Sequence, residues 1–366
     1  MRQTYDLRAL YARELRERDY SPDRAQLRAV AKLDLLRRRL LRAHASRAPH
    51  WLGRLWRSTP AAPRGLYLWG GVGRGKTFLM DLFFASLPFA ERRRQHFHHF
   101  MHEVHARLAD LRHERDPLEL LAARLAQDIR VLCFDELQVT DIADAMILGG
   151  LFRALLQRGV TLVATSNTPP PELYRDGLQR ARFLPTIELL ERSLEVLRLG
   201  GTTDYRLREL TGAGVYLPAG EPATPARLAQ LFGRLGGRST RSGGNVLIEG
   251  RPIAVVREGA GVAWFEFAAL CGGPRSADDY IEIAREYGSL VVSDVPVLEA
   301  ADDDAARRFI ELIDELYDRN VNLIVSAAAP PGELYRGERL RAPFERTVSR
   351  LIEMQSAQYL AREHKP

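Results

Sequence analysis

Residues 70–77 read Gly70-Gly71-Val72-Gly73-Arg74-Gly75-Lys76-Thr77, and this stretch decides how the rest of the chain is read. An apolar run, Leu66–Trp69, precedes it directly, and an amphipathic run, Thr77–Ala85, follows it. Glycines at the first and sixth positions, then a lysine and a hydroxyl residue, set between a strand and a helix, have the spacing of a phosphate-binding loop. The glycines leave room for successive backbone N–H groups and the helix N-terminus to converge on phosphate oxygens. Lys76 places a compact charge for the β and γ phosphates of a nucleotide, and the Thr77 hydroxyl can ligate Mg2+. Composition singles out the same lysine. Of 53 Lys and Arg residues only Lys32, Lys76 and Lys365 are lysine. Among phosphates an arginine fork on a longer stem is a poor substitute for an ammonium.

Working outward, Ile129-Arg130-Val131-Leu132-Cys133-Phe134 is an apolar strand that empties into Asp135-Glu136. Carboxylates there fall at the C-terminal edge of a parallel sheet, where open α/β folds bind ligands. Asp135 is expected to hold Mg2+, directly or through water, and Glu136 to orient and deprotonate the attacking water. The strand Val160–Thr165 ends in Ser166-Asn167. An uncharged side chain at Asn167 can touch the γ-phosphate or that water as a sensor, although Asn is also a common turn residue before Thr-Pro-Pro.

These strands, with Gln95–Phe100 and Leu194–Leu199, alternate with helical stretches at Thr77–Ala85, Met101–Leu111 and Ile142–Gln157. Such alternation predicts an α/β fold, a doubly wound parallel sheet with crossover helices. Three regions are expected: an N-terminal helical lead-in over 1–60, a P-loop core over 61–205 and a C-terminal α/β region over 206–366. The lead-in opens its second helix at Ser21-Pro22-Asp23 and ends in a connector, Ser46–Arg64, with three prolines and two tryptophans. Gln26 on that helix reads as a solvated side chain, with contact to an adenine edge as the alternative.

The remaining arithmetic excludes other classes. With 366 residues, 46% hydrophobic and 27% charged, the chain has globular composition. No apolar run approaches the ~18–20 residues that cross a bilayer. The N-terminus has no apolar signal core, so a cytoplasmic protein is expected. Two cysteines cannot make a disulfide framework. The formal net charge of +6 is small for this length and does not argue for nucleic acid.

Residues 160–190 and 321–351 align at a constant offset without a gap, with 13 identities in 31 positions. Pro169-Pro170 meets Pro330-Pro331, and Glu172-Leu173-Tyr174-Arg175 meets Glu333-Leu334-Tyr335-Arg336. This reads as a duplication. In the second copy Asn167 is matched by Ala328, and Asp294 takes the place of Asp135, which leaves Glu136 without a carboxylate counterpart. The turn Cys271–Ser276 has no lysine for a phosphate. A second copy without an active site is expected.

The order of P-loop, Asp-Glu strand and polar-ended strand resembles an AAA+ ATPase. The strings Gly65-Leu66-Tyr67-Leu68-Trp69-Gly70, Phe134-Asp135-Glu136-Leu137-Gln138-Val139-Thr140-Asp141-Ile142-Ala143-Asp144-Ala145-Met146, Thr165-Ser166-Asn167 and Arg346-Thr347-Val348-Ser349-Arg350-Leu351 resemble the cell division protein ZapE family, from about Gln26 to the C-terminus. The resemblance implies a cytoplasmic ATPase, recruited to the division septum, that destabilises polymers of the tubulin-like protein FtsZ. AAA+ proteins complete the site with an arginine from a neighbouring subunit, so an ATP-dependent homo-oligomer is expected. Arg182 lies where they place this finger, and the second copy has Pro343 there.

Other signals are weaker. Five of nine histidines fall between His96 and His105, without the H-E-x-x-H zinc spacing. Phe100-Met101-His102 departs from the pore loop of AAA+ unfoldases. A DNA-directed loader is the rival reading, with Arg37-Arg38-Arg39 and Arg92-Arg93-Arg94 as its basic blocks. A nucleotide switch with little turnover is a third, and Glu136 argues against it.

Overall fold

The computed structural model describes residues 6–17, 22–45, 62–71, 73–200, 207, 210–211, 214–236, 240–259, 261–362 and 364–365. Val72 and residues 46–61 of the expected connector lie outside the described residues. The chain divides into two compact units, Met1–Thr202 and Thr203–Pro366.

In the first unit, helices α1 (Leu7–Glu17) and α2 (Arg24–Ala45) precede strand β1 (Gly65–Trp69) and helix α3 (Lys76–Ser86). Asp23 starts α2, its Oδ1 accepting from the N–H groups of Ala25 at 2.6 Å and Gln26 at 3.1 Å. There follow β2 (Arg92–His96), α4 (Phe97–Asp110), α5 (Pro117–Asp128), β3 (Val131–Asp135), α6 (Ile142–Gln157), β4 (Thr161–Ser166), α7 (Arg180–Ser193) and β5 (Leu194–Arg198). The strands form one parallel sheet of order β2-β3-β4-β1-β5.

Alternate side chains of these strands feed two cores. Leu66, Leu68, Val131, Cys133 and Val163 pack against α1, α2 and α3, whereas Tyr67, Leu132, Phe134, Leu162 and Ala164 pack against α4–α7. The sheet is thus doubly wound, as expected. Phe134 anchors the second core, its ring 4.8 Å from Phe100 and 5.7 Å from both Phe97 and Phe152. Truncating it would cost about 3–5 kcal/mol and would loosen the strand end that carries Asp135.

One strand differs from expectation. β2 lies at Arg92–His96, and Phe97–Phe100, expected as strand, begin α4. The apolar residues belong to a buried helix face, with Phe97, Phe100 and Met101 each 1% exposed. The strand itself is polar because each arginine has an internal partner.

The second unit runs β6 (Tyr216–Pro218), α8 (Thr224–Gly236), β7 (Arg241–Ser242), β8 (Asn245–Ile248), β9 (Arg251–Ala254), β10 (Arg257–Gly259) and β11 (Val262–Glu266). It continues through α9 (Phe267–Cys271), α10 (Ala277–Glu286), β12 (Ser289–Val295), α11 (Asp303–Asp318), β13 (Asn322–Ala327), α12 (Arg341–Glu353) and α13 (Ala357–Leu360). Its main sheet has the order β6-β13-β12-β11-β10-β7, parallel from β6 to β11.

The order β1-β4-β3-β2 of the first unit is therefore repeated as β6-β13-β12-β11. Element bounds repeat too: α6 and α11 both span 16 residues, and the Pro170–Glu172 turn matches Pro331–Glu333. Tyr174 packs on Phe183 at 5.6 Å as Tyr335 packs on Phe344 at 5.2 Å.

Register corrects two expected equivalences. Phe134 pairs with Ala164 and Val292 with Val325, so Ser293 stands in the place of Asp135 and Asp294 in that of Glu136. The counterpart of the phosphate loop is Ala219–Thr224, which follows β6, because Gly70 N–H donates to Ser166 O as Ala219 N–H donates to Ala327 O. The Cys271–Ser276 turn instead follows the counterpart of β2. Strands β7–β10 separate α8 from β11 and upset the spacing on which the sequence comparison relied.

Candidate active site

The loop after β1 has the backbone its glycines allow. Gly70, Gly73 and Gly75 have φ of 153°, 72° and 83°. A Cβ at Gly70 would run into the Leu199 carbonyl, and one at Gly75 into the Gln26 amide. Both positions thus need glycine for conformation and for close approach. Lys76 opens α3 and is 8% exposed; its Nζ donates to Gly70 O at 2.6 Å and Gly71 O at 2.8 Å. Gly71, Arg74 and half-buried Thr77 complete the described part of the loop.

Gln26 is neither solvated nor positioned by chance. It is 3% exposed, its Nε2 donates to Arg74 O at 3.0 Å, and its Oε1 accepts from Tyr11 at 3.1 Å. The lead-in helices are pinned to the loop through this amide.

β4 runs between β3 and β1, with Trp69 opposite Ser166. Asn167 therefore emerges beside the loop, half-buried, from a turn held by two bonds: Tyr67 donates to Thr168 O at 2.9 Å and Ser166 Oγ to Leu137 O at 2.8 Å. Glu136 has φ 53°, rare for a side-chain-bearing residue, and its N–H donates to Thr165 Oγ1 at 3.1 Å. That turn separates the two acids: Asp135 is buried, whereas Glu136 is half-buried at the sheet edge.

Asp135 is held by a partner that the sequence reading missed. Arg94 Nε donates to Asp135 Oδ2 at 2.6 Å, and its Nη1 bonds Asp81 on α3. The three side chains are at most 6% exposed. Burial opposes the Arg94 charge, but Asp135 and then Asp81 outweigh it and hold its pKa above the ordinary arginine value. Asp135 Oδ1 is buried without a partner. A buried carboxylate oxygen without a partner, at the sheet edge from which the loop carrying Lys76 and Thr77 also emerges, fits Mg2+ carried on phosphates, a hard cation that prefers oxygen. The signal for Arg94 lay in strand alternation: it pairs with Cys133 in register and so shares the face of Cys133 and Asp135. Asp81 was the single acid in the helix Lys76–Ser86, set within the apolar run Phe78–Ala85.

Arg182 sits exposed in the first turn of α7. Arg350 is taken up by Asp314, by Asp318 at 3.5 Å and by the Tyr317 ring at 4.7 Å. His105 pairs with Asp144 at 2.6 Å, and among the described residues no three His, Cys, Asp or Glu side chains converge as a metal site would need.

A strand, glycine loop and helix with Lys76 at the helix start, flanked by paired acids on a parallel sheet, define a P-loop ATPase of AAA+ type. The chain belongs to the AFG1-like ATPase family, whose model matches residues 6–363, some twenty residues further toward the N-terminus than the sequence resemblance reached. It is 45% identical over 365 residues to "Cell division protein ZapE" of Escherichia coli K12, covering 97% of each chain. It is 38% identical to "Lactation elevated protein 1 homolog B" of Danio rerio, covering 82% of this chain and 69% of that one. Among solved structures, AMPPCP-bound DnaA from Aquifex aeolicus overlaps 56% of this chain and 53% of its own at 14% identity, TM-score 0.35. That overlap is partial and says nothing of what this chain binds. Among the described residues no helix is long and apolar enough to cross a membrane.

Proposed function

We propose that the chain hydrolyses Mg-ATP at one site per polypeptide and uses the cycle to destabilise a protein polymer in cell division, FtsZ by family resemblance. The observation that supports the catalytic part is the turn that holds Glu136 at the C-terminal edge of the sheet, its N–H bonded to Thr165 on β4, the strand between β3 and the strand that leads into the phosphate loop. Gly70, Gly71, Val72, Gly73, Arg74, Gly75, Lys76 and Thr77 bind the triphosphate. Lys76 exchanges its loop carbonyls for β and γ oxygens. Glu136 takes a proton from the attacking water, and Asn167 orients that water against the γ-phosphate. Mg2+, when bound at Thr77 and Asp135, neutralises charge developing between the β and γ phosphates. Arg182, exposed and unmatched in the second copy, reaches the γ-phosphate of a neighbouring chain in an ATP-dependent oligomer.

The partner reading is supported by the 45% identical relative named as a cell division protein. It is supported too by the fate of the basic blocks. Arg92 bonds Phe84 O and stacks on the Phe84 ring, Arg93 pairs with Glu103, Arg94 is buried between two acids, and Arg37 is buried against Asp34. Internal partners take up the Arg92–Arg94 run and Arg37, which leaves Arg38 and Arg39 as the exposed members of the two blocks, few for a nucleic-acid backbone. Phe100 and Met101 lie in the core, so α4 does not offer them as a threading loop. Septal recruitment from the cytoplasm follows from the partner.

The test is steady-state ATPase of the full chain alone, with FtsZ polymer and with DNA, together with light scattering of the polymer. We expect polymer loss that needs ATP, and stimulation by FtsZ. Stimulation by DNA alone would overturn the partner.

A further inference from the structure

Arg94, Asp81 and Asp135 form a buried ion chain that the fold does not require. Each carboxylate and the guanidinium lose their hydration, and such pairs rarely stabilise a core more than neutral packing does. The second unit gives the comparison. His96 pairs with Asp135 in register as Glu266 pairs with Ser293, which equates Arg94 with Trp264. There Trp264 Nε1 donates to Ser293 Oγ at 3.0 Å, a neutral bond between the same two strand positions. Helix α8, the counterpart of α3, has no acidic residue to match Asp81. The same sheet is thus built once with an ion chain and once without, and the ion chain accompanies the phosphate loop.

Its geometry is asymmetric. Arg94 takes Asp135 Oδ2, while Oδ1 stays buried without a partner, and Arg94 Nη2 is likewise buried without one. A charge-assisted bond from Nε holds one carboxylate oxygen and leaves the other open to a second ligand. Asp81 fixes the guanidinium from the side of α3, the helix that starts at Lys76. Strand β2, strand β3 and the loop helix are tied at one point.

We propose that Arg94 is a positioning residue for the metal site: by holding Asp135 Oδ2 it turns Oδ1 toward the divalent cation on the nucleotide, with Asp81 holding Arg94 in turn. This rests on the reading of Asp135 as the metal-holding acid. Removing a hydrogen-bond partner of a metal-binding carboxylate weakens the metal by about 10- to 100-fold.

The test uses Mn2+ in place of Mg2+, followed by electron paramagnetic resonance on the full chain with ADP, beside ADP affinity in EDTA. Arg94→Met is expected to weaken Mn2+ at least about tenfold with metal-free ADP affinity within about twofold. Arg94→Lys, which restores charge without the fork, is expected to recover part of the loss. Asp81→Asn, which leaves Asp135 and Arg94 in place, is expected to weaken Mn2+ about threefold, and it carries the test if Arg94→Met does not fold. Unchanged Mn2+ affinity in Asp81→Asn and the Arg94 variants, or a parallel loss of metal-free ADP binding, would overturn the proposal. Asp135→Asn separates the two readings: if it too leaves Mn2+ affinity unchanged, the assignment of Asp135 fails and not merely that of Arg94.

Discussion

Glu136 and Asp294 occupy one position in two copies of the same sheet. Glu136 directly follows β3, Asp294 sits at the register irregularity near the end of β12, both have left-handed φ, 53° and 61°, and both donate their N–H to a hydroxyl, Thr165 Oγ1 at 3.1 Å and Ser326 Oγ at 2.9 Å. The backbone device is kept in both, whereas the phosphate loop exists in one. In the second unit Ala219-Gly220-Glu221-Pro222-Ala223 connects strand to helix without a lysine.

That pairing separates fold from chemistry. Thr165→Val leaves the Glu136 N–H without its acceptor, a loss of about 1–3 kcal/mol. ATP turnover is expected to fall about tenfold with nucleotide affinity nearly unchanged. Ser326→Ala breaks the same bond at Asp294 and is expected to lower the melting temperature without altering turnover. Parallel rate and melting measurements on the two variants check this; equal losses of rate would show that Asp294 takes part in hydrolysis.

The latch between the lead-in and the loop has a measurable strength. Gln26→Met keeps the volume and removes both the bond to Arg74 O and the acceptor for Tyr11, so nucleotide affinity is expected to drop about five- to tenfold, as for one or two hydrogen bonds. Tyr11→Phe leaves the Arg74 bond and should cost less. Calorimetric titration with ATP decides; wild-type affinity in Gln26→Met would mean the helices do not hold the loop.

Both cysteines should be silent. Burial pushes the Cys133 and Cys271 thiols up to about 12. Neither is nucleophilic near pH 8, so iodoacetamide should label both only after denaturation. The sign for stability follows: as pH rises from the ordinary thiol value toward 12, the unfolded chain releases protons that the fold retains, and stability falls. Labelling of the folded chain at pH 8, followed by mass spectrometry, would contradict the burial.

Much of the fold was legible, and the reason is physical. Strands buried on both faces leave short apolar runs, as at Leu66–Trp69 and Leu162–Ala164, and a glycine loop before a lysine admits few backbones. β2 was misplaced because it is an edge strand whose half-buried arginines find internal partners, which single-residue hydropathy cannot show. Helices α5 and α7 went unremarked for want of a motif. The site was read as a set of ligands, Lys76, Thr77, Asp135, Glu136 and Asn167. What orders them, Arg94, Asp81, Thr165 and Gln26, depends on register and on contacts between distant parts of the chain. The repeat was visible where its two copies align without a gap and was misassigned upstream, where β7–β10 intervene.

The central claim is that one carboxylate, Glu136, drives hydrolysis at one nucleotide site per chain. The direct measurement is ATP turnover of Glu136→Gln beside its nucleotide stoichiometry and affinity. The account predicts one ATP bound per chain with affinity within about twofold of wild type, and turnover reduced at least about 100-fold, as for loss of a general base. Wild-type turnover in Glu136→Gln, or two ATP bound per chain, would contradict it.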